Sequence, residues 1–185
     1  MKENSEGLIE RAEILTRWDV RNKHVLDIGA GPLAIIAARD FNCVVTNIDI
    51  SEDALITAKR DAEKEGLVGQ ITFEHGDATA LSYPNRSFDV VISYGVLHHV
   101  ALSRRMMFLQ EVCRVAKEMV IVVELNMEGF EKIHAGSSFT AVDLNWLERA
   151  LKAFGDIDTY IGTLMNVYTL SFYKKEPVLR KSRTL

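Results

Sequence analysis

The stretch HVLDIGAGPLAIIAARD, residues 24–40, decides how the chain is read. Val25 and Leu26 open an apolar run that meets an acid, Asp27. Ile28, Gly29, Ala30 and Gly31 follow, and Pro32 leads into a run of alanine and isoleucine. This is the order of a strand, a tight glycine turn and a helix. Proline suits the first turn of a helix, where its missing N–H has no partner to lose. The pattern predicts a strand over His24–Ile28 and a helix to about Arg39. Such turns hold nucleotide-like ligands against the helix N-terminus. An aspartate two residues before the first glycine is an unusual neighbour for a phosphate.

The same alternation continues outward. Cys43–Ile48 is a β-branched run ending at Asp49. Ser51 is placed to cap a helix carrying Ala54, Leu55, Ala58 and Ala62, which Gly66 should end. Ile71–Glu74 reads as a third strand, followed by His75-Gly76-Asp77-Ala78. Residues 79–87 read as loop and Phe88–Ile92 as a buried strand. A helical turn should begin within 95–100, and a helix should span 103–116 with Met106, Met107, Leu109, Val112, Cys113 and Val115 in the core. Met119–Val123 is a fifth strand ending at Glu124. Residues 126–140 read as irregular. Thr140 and Asp143 suggest an acidic capping box before a helix over 141–154. Strands at about 157–161 and 166–173 close the pattern. Upstream, Leu8, Ala12, Leu15 and Trp18 suggest a leading helix over 5–18, capped by Asn4 or Ser5.

Alternating strands and helices call for an α/β fold: a doubly wound, mostly parallel seven-stranded sheet with helices on both faces. The link around Gly162 is too short for a parallel crossover, so the last strand should be antiparallel. The 185 residues, 48% hydrophobic and 26% charged, suit one domain with a real core. We expect a single domain over 1–185, with a leading segment 1–22, a core 24–173 and a loose basic tail 176–185. A net charge of −4 gives no broad electrostatic grip on nucleic acid. Two cysteines, Cys43 and Cys113, fit small buried thiols in a reducing compartment. The N-terminus is too charged for a signal peptide, and no run reaches membrane length. The expectation is a soluble cytoplasmic protein.

Four predicted strand ends carry polar or glycine residues: Asp27 to Gly31, Asp49, Gly76-Asp77, and Ser93 to Gly95. In a doubly wound sheet these ends converge on one crevice. Gly29, Gly31 and Ala34 satisfy the dinucleotide pattern G-x-G-x-x-G/A, but Asp27 would repel a pyrophosphate. The same carboxylate suits a cationic amine, while the helix N-terminus favours a carboxylate. Asp49, about twenty residues on, can accept both hydroxyls of a ribose. A nucleoside joined to a zwitterionic amino acid describes S-adenosylmethionine.

These residues resemble the class I (Rossmann-like) S-adenosylmethionine-dependent methyltransferases over roughly residues 24–173. VLDIGAG is similar to the family's first motif, IDIS (48–51) to its second, and GDA (76–78) to the segment whose acid meets the adenine amino group. SFDVVISYGVLHHV (87–100) and FLQEVCRVAK (108–117) resemble the fourth strand with its turn and the helix before the fifth strand. The resemblance implies a cofactor set of Asp27, Gly29, Ala30, Gly31, Asp49, Ile50, Asp77, Ala78 and Ser93, with S-adenosylhomocysteine as product. Two departures stand out. Leu33 replaces a frequent third glycine, and the proline-glycine-glycine turn before the fifth strand is missing.

The region after the fourth strand lies beside the transferring methyl group in this family, so Tyr94, His98 and His99 are the candidate catalytic residues. Tyr94 and His98, four apart, should share a face if the turn is helical. A histidine there could take a proton from the acceptor. Glu124 and Asn126 should also face the cleft. No metal is expected: adjacent histidines diverge on a helix, and no carboxylate completes a ligand set. The leading helix and 126–140 are the expected cleft walls. The acceptor is expected to be a small molecule, with nucleic acid and protein acceptors left open, no membrane partner, and no indication of oligomeric state. SYGV lacks the Asn-Pro-Pro-aromatic motif of adenine-N6 methyltransferases. Two rival readings stand beside this one. A nicotinamide oxidoreductase lacks a visible Tyr-x-x-x-Lys or comparable pair. A non-catalytic cofactor-binding module, or a subunit of a larger methyltransferase, remains the alternative.

Overall fold

Seven strands build one sheet in the order β3-β2-β1-β4-β5-β7-β6. The computed structural model describes residues 1–172, and the expected tail lies outside the described residues. The strands are β1 (His24–Ile28), β2 (Val44–Asp49), β3 (Ile71–His75), β4 (Phe88–Tyr94), β5 (Ala116–Leu125), β6 (Ile157–Ile161) and β7 (Met165–Ser171). The helices are α1 (Arg11–Arg17), α2 (Leu33–Phe41), α3 (Glu52–Lys64), α4 (Arg105–Val115), α5 (Met127–His134) and α6 (Leu144–Lys152). Strands β1 to β5 pair in parallel, and β7 runs antiparallel between β5 and β6. The short β6–β7 link allows only that direction.

The central strands are buried on both faces, so their side chains alternate between two cores. Val25, Val45, Val90, Ile92, Ile121 and Val123 pack with α1 and α2. Leu26, Val91, Val120 and Val122 pack with α4 and α6. Helix α2 shows why its segment is helical: Leu33, Ala34, Ala37, Ala38 and Phe41 recur at three- and four-residue spacing and are all buried. Leu33, in place of the third glycine, is 1% exposed and anchors the first turn of that helix. Burying such a side chain stabilises the fold by about 1.5–3 kcal/mol.

Several local expectations change. The leading helix is confined to Arg11–Arg17, because the Asn4 side chain accepts from the backbone N–H groups of Glu6 and Leu8 and folds a turn instead. Residues 127–134, expected to be irregular, form α5. The Asn126 side chain accepts from Gly129 N at 2.9 Å and starts the helix, and Gly136 beyond it is left-handed. The expected capping box does not form. Asp143 itself caps α6 by accepting from Asn145 N and Trp146 N, so the helix starts at Leu144. Helix α4 passes straight into β5 at Ala116, three residues earlier than expected, with no glycine turn between them. Met106 and Met107 lie on the outer side of α4, 38% and 45% exposed, rather than in the core.

The register places the site. Ile28 pairs with Ile48 on one side and Ser93 on the other, and Asp49 pairs with His75. The carboxyl ends of β1 to β4 are therefore level. The residues that follow them meet at one edge of the sheet, at the point where strand order reverses between β1 and β4.

Candidate active site

A cavity of ≈ 620 Å³ opens at that edge. Its volume falls within the about 300–1,000 Å³ of small-molecule and cofactor sites. Of the sequence-predicted cofactor residues, Asp27, Gly29, Ala30, Gly31, Asp49, Ile50, Asp77 and Ala78 line it. Ser93 does not. It sits one position before Tyr94 on β4, faces the opposite side of the sheet, and is 2% exposed. Strand pleating sends neighbours to opposite faces, and Ser93 falls on the face away from Tyr94 and the cavity.

The glycine turn is held from outside. Gly29 N donates to Ile48 O at 2.8 Å, and Gly31 N donates to Gly29 O at 2.9 Å. Gly29 has φ +99°, and a Cβ there would come within 2.8 Å of Val96 Cγ2, so only glycine suits it. Gly31 differs, since a Cβ there would meet nothing within 4 Å. Its side of the turn opens into the cavity. Asp49 accepts from Ala30 N at 2.6 Å through one oxygen and from Ser51 N at 2.8 Å through the other. It thus ties the turn to β2, and each oxygen retains accepting capacity.

Asn47, which sequence reasoning missed, is fully buried. Its Nδ2 donates to the carbonyls of Asp27 (3.2 Å) and Gly29 (2.9 Å) and to the Asp27 carboxylate (3.0 Å). A polar side chain inside a β-branched strand is the signal that could have marked it. Asp27 is 1% exposed. Burial pushes its carboxyl up to about 8, against the opposing pull of Arg11, the Ala34 backbone and Asn47. Arg11, also unforeseen, lines the same cavity from α1 and stacks 4.0 Å over the Tyr94 ring. An acid and a guanidinium at one end of a cavity match the ammonium and carboxylate of an amino acid.

Asp77 is more heavily engaged than expected. Its Oδ1 accepts from the Thr79 N–H and hydroxyl, and its Oδ2 pairs with Arg104 at 2.8 Å. Burial raises its pKa, but these contacts outweigh burial and hold the carboxyl below its ordinary value. Arg104 itself lines the cavity.

The three catalytic candidates separate. Tyr94 lines the cavity, but its hydroxyl donates to Ile9 O at 2.7 Å and braces the segment before α1. His99 lines the cavity beside Phe139, with ring centroids 4.1 Å apart. Burial and the neighbouring His98 and His134 push His99 down to about 4. His98 is turned away and buried. Its Nδ1 lies 2.6 Å from Glu124 Oε1 and its Nε2 lies 2.9 Å from His134 Nε2. Tyr94 and His98 therefore do not share a face. Gly95, with φ +65°, breaks the chain direction between them, and only Leu97–His99 forms a 3₁₀ turn.

Glu124 and Asn126 do not face the cavity either: Glu124 is 0% exposed against His98, and Asn126 caps α5. The expected divergence of His98 and His99 is also overturned. Their ring centroids are 4.2 Å apart, and α5 brings His134 within 4.6 Å of His98. Of the expected cleft walls, α1 contributes Arg11 and the segment after α5 contributes Phe139. Buried Arg105 holds that segment, donating to the carbonyls of Val100, Thr140 and Ala141. The thiols take no part: burial raises both, Cys113 to about 12.

A glycine turn, an acid at the end of β2 and a level row of strand ends are the features of α/β domains that bind nucleotide-like ligands. The family model of the methyltransferase domain matches residues 25–119, and the chain belongs to that family. It is 41% identical to the 27-O-demethylrifamycin SV methyltransferase of Amycolatopsis mediterranei over 78 residues, 41% of this chain and 29% of that one. It is 28% identical to the ajmaline N-methyltransferase of Rauvolfia serpentina over 106 residues, 56% of this chain and 36% of that one. The fold is shared with the magnesium protoporphyrin IX methyltransferase of Synechocystis, solved with bound SAH. That match has a TM-score of 0.70 at 19% identity, covering 86% of this chain and 78% of that one. The chain spans less than half the length of the curated relatives it matches. Among the described residues, no helix is long and apolar enough to cross a membrane.

Proposed function

We propose that the chain binds S-adenosylmethionine in the cavity at the carboxyl edge of the sheet and transfers its methyl group to a small-molecule acceptor. One observation carries this reading. Asp27, Asp49 and Asp77 converge around a glycine turn whose Gly31 edge opens into the cavity. Asp27 and Arg11 suit the amino-acid end of the ligand, Asp49 its ribose hydroxyls, and Asp77 with Ala78 its adenine. Bound there, S-adenosylmethionine supplies an activated methyl carbon, so the protein's task is to position the acceptor in line and exclude water. Tyr94, His99 and Phe139 wall the side from which an acceptor would approach. Relatives named for ajmaline, a rifamycin and ubiquinone biosynthesis favour a small molecule as acceptor.

The test is calorimetric titration with S-adenosylmethionine, S-adenosylhomocysteine and NAD, on wild type and Asp49→Ala. Micromolar binding of both sulfur ligands, lost in the variant and absent for NAD, is the expected result. NAD binding in place of the sulfur ligands would overturn the reading. A panel of hydroxyl, thiol and amine acceptors, scored by S-adenosylhomocysteine release, then separates an enzyme from a non-catalytic binding module.

A further inference from the structure

We propose that His98, His99 and His134 form a site for one divalent transition-metal ion of the zinc class, set in the wall of the cavity. One ring nitrogen from each of the three side chains lies within 4.8 Å of the others. A tetrahedral zinc site with Zn–N bonds of about 2.0–2.1 Å spaces its nitrogens about 3.3 Å apart. His98 Nε2 and His134 Nε2, 2.9 Å apart, need to part only slightly, and the remaining separations, at most 4.8 Å, must close by up to about 1.5 Å.

The hydrogen-bond geometry supports the site. His98 Nδ1 lies 2.6 Å from Glu124 Oε1, and in the tautomer with the proton on Nδ1 the Nε2 lone pair points at His134. A carboxylate behind a histidine in this way orients the ring and strengthens it as a metal ligand. At 2.9 Å, two imidazole nitrogens face each other with one proton between them, or they part to share a cation. Glu124 is itself fixed in place. It is 0% exposed, and its other hydrogen bonds come from the backbone N–H groups of His98 (3.2 Å) and Leu125 (2.7 Å). Arg105 is close enough to feel its charge, but its guanidinium is spent on backbone carbonyls. His98 is the side chain hydrogen-bonded to Glu124, so the carboxylate is coupled through that ring to whatever its Nε2 binds.

The surroundings fit as well. Phe130 lies 5.4 Å from the His134 ring and Phe139 4.1 Å from His99, so the cluster is walled by apolar rings. Three imidazoles with no oxygen ligand select zinc, copper, nickel or cobalt over magnesium or calcium. They also leave one tetrahedral position open, and His99 is the member on the cavity wall. If the methyl-transfer reading holds, that position is where an acceptor hydroxyl, thiol or amine would bind. The metal site itself does not depend on that reading.

The experiment is equilibrium dialysis of the chelator-stripped full chain against Zn²⁺, with elemental analysis and with S-adenosylhomocysteine titration of every variant. Wild type is expected to hold one zinc per chain at micromolar or tighter affinity. His134→Ala and His99→Ala should lose it, Glu124→Gln should weaken it by about 10–100-fold, and His75→Ala should keep it. His134 is at the end of a short helix outside the cofactor cavity, so its variant should still bind S-adenosylhomocysteine, which shows that it has folded. No stoichiometric zinc in wild type, or wild-type retention in His134→Ala, would overturn the proposal. Zinc binding without S-adenosylhomocysteine binding would uphold the metal site and remove the methyl-transfer reading. The reverse would do the opposite.

Discussion

At the scale of the residue, Asp27 ties chemistry to pH. Its carboxyl is raised to about 8 in the free protein, so it is mostly protonated at neutral pH. Pairing with a ligand ammonium requires the ionised form. Binding should therefore release a proton, and affinity for S-adenosylmethionine should rise toward pH 8 by up to about tenfold per unit. Above that the ligand's own ammonium, with a pKa of about 8, loses its proton and affinity falls. Titration from pH 6 to 9 should show a maximum near 8, and Asp27→Asn should weaken binding and lose the acid limb. Stability moves the other way. The folded state holds a proton that the unfolded chain has lost across roughly pH 4–8, so the ligand-free protein becomes less stable as pH rises through that window. Asp27→Asn should flatten this slope in melts run across the range. Gly31 gives a cleaner steric test. Because a Cβ there meets only open space, Gly31→Leu should leave stability within about 0.5 kcal/mol of wild type. It should still reduce S-adenosylhomocysteine affinity by at least about 100-fold, or about 2.8 kcal/mol. A large loss of stability with binding retained would show that the turn does not open as described.

At the scale of the element, the buried Arg105 on α4 joins the turn after His99 to the segment before α6. Replacing it with leucine leaves three carbonyls without donors, and a lost buried partner costs about 1–3 kcal/mol. Removing a buried cation offsets part of that. Arg105→Leu should therefore lower stability by about 1–2 kcal/mol in chemical denaturation. Hydrogen exchange should speed up across residues 139–142 while β1 and β4 stay protected. The Arg104–Asp77 pair is a contrasting case. Both side chains are partly exposed, at 43% and 34%, so Arg104→Ala should change stability by less than about 1 kcal/mol. Elements also show where local reading succeeded. β1, α2 and α3 start and stop within two residues of expectation, because Asp27, Pro32, Ser51 and Gly66 are strong local signals. α5 was missed because Gly129 and Gly136 suggested loop. The Asn126 cap and packing of Gly129 against the β6–β7 link decided otherwise.

At the scale of the whole molecule, cofactor and fold should stabilise each other. With S-adenosylhomocysteine at about 100 times its dissociation constant, linkage gives about 2.7 kcal/mol. For a domain of this size that is a rise of roughly 5–11 °C in melting temperature. Asp49→Ala should abolish the rise, because Asp49 fastens the turn to β2 and, on the proposed reading, would accept the ribose hydroxyls. A shift that persists in the variant would place the ligand elsewhere.

The order of strands, the antiparallel last strand and the glycine turn were legible in the chain itself. They depend on short-range signals: β-branched runs, caps, and glycines at positions that a side chain cannot occupy. Tertiary structure alone decided which side chains meet. Arg11 reaches the cavity from α1, whose preceding segment Tyr94 braces, and Ser93 misses it because pleating turns it to the other face. His98, Glu124 and His134 belong to a turn, a strand and a helix up to 36 positions apart, and only sheet register and the packing of α5 bring them together. Spacing along a chain can place a residue on an element, but which elements touch depends on burying every apolar face at once.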